Sequence, residues 1–251
     1  MATTTDGVTA NQAYAADFAG QYDGWFSKPG TTAATVALLA ELAGKGPALE
    51  LGIGTGRVAL PLTERGVQVH GVEAAPEMAA HLRDKPGGNA IPVTIGDFAE
   101  AAVPGQFSLI YVAAGTFFEL PTQQAQLRCL RNVVRHLRPD GVFVLDAFLP
   151  EALWELATAG PLTLPTVNGD RMVCSRTIQR AAQRYTSSYS ITTPHTSHHI
   201  EVSFRYAGMG ELDLMATSAG LTLRHRWGGW DASPLRDANQ YHVSCYELEN
   251  G

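Results

Sequence analysis

Gly52, Gly54 and Gly56 stand at alternate positions directly after the apolar run Ala48-Leu49-Glu50-Leu51, with Thr55 inside the run of glycines and Arg57 behind it. The pattern reads as a buried strand entering a tight turn and then a helix. Glycine tolerates positive φ and lets a ligand approach the backbone, and the opening of a helix presents unpaired N–H groups. That is the chemistry of a nucleotide-like ligand. A dinucleotide site needs its third glycine three residues after Gly54, where helix and strand touch. Arg57 stands there, and its bulk speaks against NAD. A second apolar run, Val67 to Val72, is closed by Glu73, and an acid at such a strand end is placed to accept hydrogen bonds from a ribose.

Together these residues resemble motif I and the acidic residue that follows it in class I S-adenosylmethionine-dependent methyltransferases, and the likeness continues in order over roughly Tyr14 to Phe148. Ala74-Ala75-Pro76-Glu77-Met78 resembles the turn into the next helix. Gly96-Asp97-Phe98 resembles the acidic loop after strand three, Ala114-Gly115-Thr116-Phe117-Phe118, after a strand over Phe107 to Ala113, the loop facing the methyl donor, and Leu137-Arg138-Pro139-Asp140-Gly141 the turn before strand five. The resemblance implies S-adenosylmethionine as cofactor. Gly52 and Gly54 would allow close approach of its methionine part, with Glu50, Thr55, Gly56 and Arg57 beside them. Glu73 and Ala74 would serve the ribose, and Met78, Gly96, Asp97 and Phe98 the adenine. Ala113, Ala114, Gly115 and Phe117 would line the donor near its amino group, and Tyr14 and Tyr22 would belong to a lid over it.

Methyl transfer from a sulfonium is an in-line displacement whose donor carries its own leaving group, so the protein mainly positions the acceptor and excludes water. No nucleophile or metal motif is required. An amine must be neutral when it attacks, and a nearby carboxylate, His or Tyr can take its proton. Tyr22, Glu119 and His198 are the catalytic candidates, with His199 and Asp231 behind them. No spacing singles one out, and polar residues on loops and strands are most simply solvated. His195, His198 and His199 cluster, but neighbours in a strand point to opposite faces, which speaks against a metal site. Trp227, Trp230 and Tyr241 could cage a cation, although aromatics in terminal strands more often supply buried area.

The elements that must position these groups alternate. The aromatics Tyr14, Phe18, Tyr22 and Trp25 mark one face of a helix over Ala13 to Trp25, and Gly24 and Pro29-Gly30 supply breaks around it. Helices over Thr31 to Leu42, Val58 to Glu64 and Gln123 to Leu137 alternate with strands up to about residue 150, which implies a doubly wound, mostly parallel sheet of seven strands. Leu127, Leu130, Val133, Val134 and Leu137 give the last of these helices a buried face, leaving Arg128, Arg131 and Arg135 to solvent. Beyond a short helix at Glu151 to Ala157, strands rich in Thr, Ser, Tyr, Val and Ile fill Asp170 to Phe204. They predict an inserted antiparallel β layer. Glu211 to Ser218 reads as a helix, and Leu221 to Trp227 with Tyr241 to Leu248 as a pair completing the main sheet. The expected organisation is a disordered tail over 1–12, a cofactor-binding core with its lid over 13–150, an acceptor-walling insertion over 151–210, and the closing elements over 211–251.

A chain of 251 residues with 45% hydrophobic and 17% charged residues can bury a sizeable core. Its net charge of -6 argues against nucleic-acid and anionic-membrane partners. The absence of a signal-like or membrane-spanning segment, with three widely spaced cysteines, suits a cytoplasmic protein. The expected activity is methylation of a small-molecule acceptor, an amine first and an oxygen or activated carbon next, in secondary metabolism. An NAD-linked oxidoreductase and a non-catalytic cofactor-binding protein are the competing readings. Strand edges such as Arg171 to Arg180 could pair across a homodimer.

Overall fold

The computed structural model describes residues 18–27 and 29–249. The expected tail at 1–12 and Tyr14 lie outside the described residues. Strands β1 (Ala48–Leu51), β2 (Val69–Glu73), β3 (Val93–Ile95), β4 (Phe107–Val112) and β5 (Leu137–Phe148) pair in parallel. Two antiparallel strands, β10 (Leu221–Trp227) and β11 (Tyr241–Leu248), extend the sheet beyond β5, giving the order β3-β2-β1-β4-β5-β11-β10. β1 is buried throughout and β4 nearly so, as strands covered on both faces must be. Helices α2 (Pro29–Ala43), α3 (Ala59–Glu64) and α4 (Pro76–Arg83) bring Leu39, Leu62 and Leu82 into the cluster on one face. On the other, α5 (Gln123–His136) and α7 (Met209–Ala219) bring Leu130, Val133, Leu212 and Met215 in with Ile110 and Phe143. Each such side chain, fully removed from water, contributes about 2 kcal/mol.

Between β5 and α7 the chain forms α6 (Pro150–Thr158) and a separate antiparallel sheet of β6 (Leu162–Leu164), β7 (Arg171–Gln179), β8 (Arg184–Thr192) and β9 (Ser197–Arg205) in that order. The seven-stranded sheet and the antiparallel layer agree with the fold class expected from the sequence. Three local readings need correction. Leu137 to Gly141 is not a turn before strand five but part of β5. There the ladder jumps from Phe107↔Leu137 to Leu109↔Val142, so the extra residues bulge out while both ends stay paired. β6 was not foreseen, and it covers Met172 to Cys174 of the edge expected to be free at Arg171 to Arg180. Gly24 does not break its helix, which runs over 18–26 (α1). A Cβ there would lie 2.9 Å from the Asn168 amide, and the Gly24 carbonyl accepts the Val167 N–H at 2.8 Å, so glycine here serves close approach of a loop.

The two sheets are joined through a buried guanidinium. Arg205 at the end of β9 donates to Gln126 Oε1 of α5 at 2.6 Å, to Gln183 Oε1 at 3.2 Å and to Glu211 Oε1 of α7 at 2.5 Å. Gln126 returns a bond to the Arg205 carbonyl at 2.8 Å. Burial would raise the Glu211 carboxyl, but the bonds from Arg205 and Gln183 outweigh it and hold the group below its usual range. Removing one partner strands the other without compensation. Arg205→Ala should therefore cost about 3 kcal/mol of unfolding free energy in urea titration, with binding at the strand ends unaffected once the protein is folded.

Candidate functional site

The strand order reverses between β1 and β4, and in open α/β sheets a ligand crevice forms at that switch point, outside the carboxyl ends of the strands. The residues there explain its shape. Gly52, Gly54 and Gly56 have φ of 74°, 56° and 81°, a region costly for residues with a Cβ. At Gly52 a Cβ would also press on Thr116 Cγ2 at 2.9 Å, with Phe98 Cε1 at 3.9 Å. The turn is locked to β2: Gly52 and Ile53 donate to the Val72 carbonyl at 2.9 and 3.0 Å. Gly54 N–H donates to Glu73 Oε2 at 2.8 Å, and Ala75 N–H to Oε1 at 2.9 Å. Burial raises the Glu73 carboxyl against these bonds. The Ala74 N–H also bonds this carboxylate, which leaves it one further acceptor position.

A row of polar groups crosses the strand ends. Glu50 is buried and accepts the Tyr111 hydroxyl at 2.9 Å. Burial pushes its carboxyl up to about 8, against that bond and the nearby Arg57. Arg57 Nη1 donates to Thr32 Oγ1 at 3.0 Å. Asp146, at the carboxyl end of β5, accepts Gly115 N–H at 3.0 Å and Trp230 Nε1–H at 3.3 Å, and its carboxyl is likewise raised by burial. Ala114 and Gly115 are left-handed, at φ 64° and 73°, so the loop after β4 is a strained segment whose second N–H is pinned by Asp146.

Helix α1 roofs this crevice. Ala19 and Tyr22 pack with Ala75 and Met78, while Trp25 packs with Met172, Ile191, Ile200 and Val202 of the antiparallel sheet. Asp23 fastens the roof: it accepts the Thr55 hydroxyl at 2.5 Å, pairs with Lys85 Nζ, and has His81 Nε2 at 3.7 Å. Lys85 also donates to the Thr55 carbonyl at 2.7 Å. At the β3 end, Asp97 Oδ1 accepts Ala99 N–H at 2.8 Å, and Asn132 of α5 donates to the carbonyls of Phe98 and Ala101 at 3.2 and 3.0 Å. His136 Nε2 accepts Val103 N–H at 3.2 Å.

One cavity gathers Tyr22, Glu50, Gly52, Gly54, Thr55, Arg57, Ala113, Ala114, Gly115 and Glu119. Glu73 joins it through Gly54, Met78 Cε would lie 3.5 Å from a Cβ on Gly54, and Phe98 faces Gly52. Gly96 donates to the Glu73 carbonyl at 2.9 Å, which sets Asp97 beside β2, and Ala74 follows Glu73 at the rim. Gly56 lines a separate groove with Leu60 and Lys85. Phe117 is fully buried in the core and does not line the cavity; Thr116 does. His198 is not brought to it either, for its ring packs on Phe18 and Trp25 at 5.3 and 5.2 Å. His199 lies 3.5 Å from Glu201 near the surface, and Asp231 is exposed. Among the described residues no three metal-ligating side chains converge, and no helix is long and apolar enough to cross a membrane. Trp230 and Tyr241 line the cavity, whereas Trp227 stacks with His225. Sequence reading missed Asp146, Thr31, Thr35, Phe26, Tyr189 and Phe204. Only Asp146 carried a signal, closing Val142-Phe143-Val144-Leu145 as Glu73 closes its own strand.

A reversed-order sheet of this kind, with a left-handed glycine turn tied to an acid at the end of β2, defines a Rossmann-like methyltransferase. Residues 48–141 match a family described as a methyltransferase domain. The cypemycin N-terminal methyltransferase of a Streptomyces species is 30% identical over 190 residues, covering 74% of this chain and 76% of that protein. The solved CcbJ methyltransferase of Streptomyces caelestis is 32% identical, with a TM-score of 0.85 over 94% of this chain and 98% of its own. The glycopeptide N-methyltransferase MtfA, solved with S-adenosylmethionine, shares the fold at 19% identity and a TM-score of 0.59, over 88% of this chain and 87% of its own. The chain belongs to the S-adenosylmethionine-dependent methyltransferases, which sets the oxidoreductase reading aside. Its residues fit that cofactor: a cradle at Gly52 that a Cβ would obstruct, carboxylates with spare acceptor positions for hydroxyl and ammonium groups, and a guanidinium for a carboxylate.

Two outcomes follow from this geometry. Glu73→Ala should weaken S-adenosylmethionine binding at least about tenfold in calorimetry, the loss of charge-assisted hydrogen bonds. Glu50 is protonated below about 8 in the free protein, and a cation placed against it favours the ionised form, so binding releases a proton. Affinity should rise as pH climbs from 6 toward 8 and flatten above, and Glu50→Gln should remove the slope. The same raised carboxyl contributes stability to the ligand-free fold that is fully present below its unfolded pKa, near 4.5, and lost as pH rises through about 8.

Proposed function

We propose that this chain methylates an amine nitrogen on a small-molecule or peptide-like acceptor. The observation that carries the reading is the acidic and aromatic character of the cavity wall beyond the donor-binding turn. Glu119 shares that wall with Tyr22, Phe26, Tyr189, Phe204, Trp230 and Tyr241. Aromatic faces and carboxylates favour amines over neutral oxygen acceptors. The names of the cypemycin N-terminal methyltransferase and the glycopeptide N-methyltransferase support the same choice.

In this reading Gly52, Gly54, Glu50 and Arg57 hold the methionine end of the cofactor, Glu73 its ribose, and Asp97, Phe98 and Met78 its adenine. Bound there, the cofactor would supply a methyl carried on a sulfonium, whose sulfur would keep the electrons of the S–C bond as the methyl passed to a neutral acceptor nitrogen. The chain's own residues must strip water from the nitrogen and receive its proton. Tyr22 is a poor base, since burial first and Glu119 next push its phenol well above its usual value. Tyr189 is pushed up to about 12, chiefly by burial. Both hydroxyls therefore stay protonated and act as donors that orient the acceptor. Glu119 is left as the proton acceptor of the wall.

Purified protein with S-adenosylmethionine and a panel of amino sugars, amino acids and short peptides should yield N-methylated product by mass spectrometry. Transfer only to hydroxyl or carbon acceptors overturns the reading. Glu119→Gln should lower kcat about 100-fold, with cofactor affinity unchanged within a factor of about two.

A further inference from the structure

Asp146 is a half-buried carboxylate lining the cavity that neither cofactor binding nor proton removal has used. It stands one residue beyond the Val112↔Leu145 pair, two strands away from β1, which runs into Gly52. At about 4.8 Å per strand, that puts its backbone about 10 Å along the sheet from the glycine turn, on the side away from Glu73. Its oxygens accept N–H groups from Gly115 and from Trp230, with its own backbone N–H alongside, and acceptor capacity remains for one more donor. Trp230, Tyr241 and Phe148 line the cavity with it. A carboxylate set among aromatic rings suits a cationic group, which gains from the charge and the ring faces together.

Resting on the amine reading, we infer that Asp146, flanked by Trp230 and Tyr241, anchors a positively charged group of the acceptor other than the nitrogen that is methylated. The division of labour follows from the chemistry. The reacting nitrogen must shed its proton to expose a lone pair, whereas a half-buried carboxylate holds its partner in the charged form. Glu119, on the loop after β4, and Asp146, at the end of β5, therefore serve two different nitrogens. Burial raises the Asp146 carboxyl, while the Gly115 and Trp230 bonds and Arg57 pull it back toward ionisation. A bound cation completes that pull. The acceptor class this selects carries two basic groups, as a diamine or a peptide with a second basic site does.

The test compares trans-1,4-diaminocyclohexane with cyclohexylamine, titrated into the enzyme saturated with S-adenosylhomocysteine. The diamine should bind at least about tenfold more tightly. Asp146→Asn should abolish that preference while leaving the affinity for S-adenosylhomocysteine within about twofold. Trp230→Phe, which keeps the Asp146 carboxylate and a six-membered aromatic face but removes the pyrrole ring with its N–H, should retain the preference. Equal binding of the two amines by the wild type, a preference that survives in Asp146→Asn, or weakened binding of S-adenosylhomocysteine in that variant overturns the inference. The amine reading is judged apart from it: if the acceptor panel is methylated on nitrogen while the two amines bind equally, only the role of Asp146 fails. Discrimination between them with no nitrogen product from any acceptor defeats the amine reading instead.

Discussion

The closure of the glycine turn onto β2 is the constraint from which the rest of the site descends. Gly52 and Ile53 hang from the Val72 carbonyl, and Gly54 hangs from the Glu73 carboxylate. Three left-handed residues in five cannot be held by local preference alone, because the gain from glycine freedom is matched by its entropic cost. They are held because a buried acid at the end of the neighbouring strand satisfies the turn's own N–H. The same closure fixes where α3 begins and turns Arg57 toward Thr32. It also leaves Gly52 bare against Thr116 and Phe98, so the loops after β3 and β4 converge on a single point of backbone.

Helix α1 ties that point to the antiparallel sheet. On one side Asp23 grips Thr55 within the glycine turn and Lys85 just past α4. On the other, Trp25 is buried among side chains of β7, β8 and β9 and donates its indole N–H to Asp170 at 2.8 Å. Phe26 meets Tyr189 edge to face at 5.2 Å, and Tyr22 lies 5.0 Å from Phe26. A helix so shared cannot leave one body without disturbing the other. Access to the glycine turn and the shape of the aromatic wall are therefore mechanically linked, through packing rather than through any single bond.

Much of this was legible in the sequence, and the parts that were not share a physical cause. The parallel strands were readable because burial on both faces leaves an unbroken apolar run, as in Leu109 to Val112. Glu73 was readable because an acid ends such a run. Asp146 carries the same signal, yet its partners Gly115 and Trp230 lie 31 and 84 residues away, so its role exists only in three dimensions. Hydrophobic periodicity on α5 found Leu130 and Val133 but passed over Gln126 and Asn132 on the same buried face. Those amides are inward because they satisfy the carbonyls of Arg205, Phe98 and Ala101, an obligation no helical spacing records. His198 misled for the converse reason: a histidine among strand residues reads as a candidate base, but here it completes an aromatic cluster.

The charge arrangement of the cavity accounts for an apparent conflict between stability and binding. Among the described residues, Glu50, Asp146 and Glu119 line a space in which Arg57 is the one cation. Fully ionised and desolvated, such a set would oppose folding, since the mutual repulsion and lost hydration of buried carboxylates are expensive. Burial offsets this by raising the Glu50 and Asp146 carboxyls, Glu50 to about 8, so that Glu50 holds a proton at neutral pH. The hydrogen bonds from Tyr111, Gly115 and Trp230 set how far that goes, because each favours the ionised form it donates to. The site is thereby left between two protonation states, with the balance decided by whatever charge arrives. A cation entering it favours the ionised form of Glu50, while a neutral molecule of the same shape meets a carboxylic acid there. Selectivity for charge is in this way written into the depth of the strand ends, before any side chain of the wall has touched the acceptor.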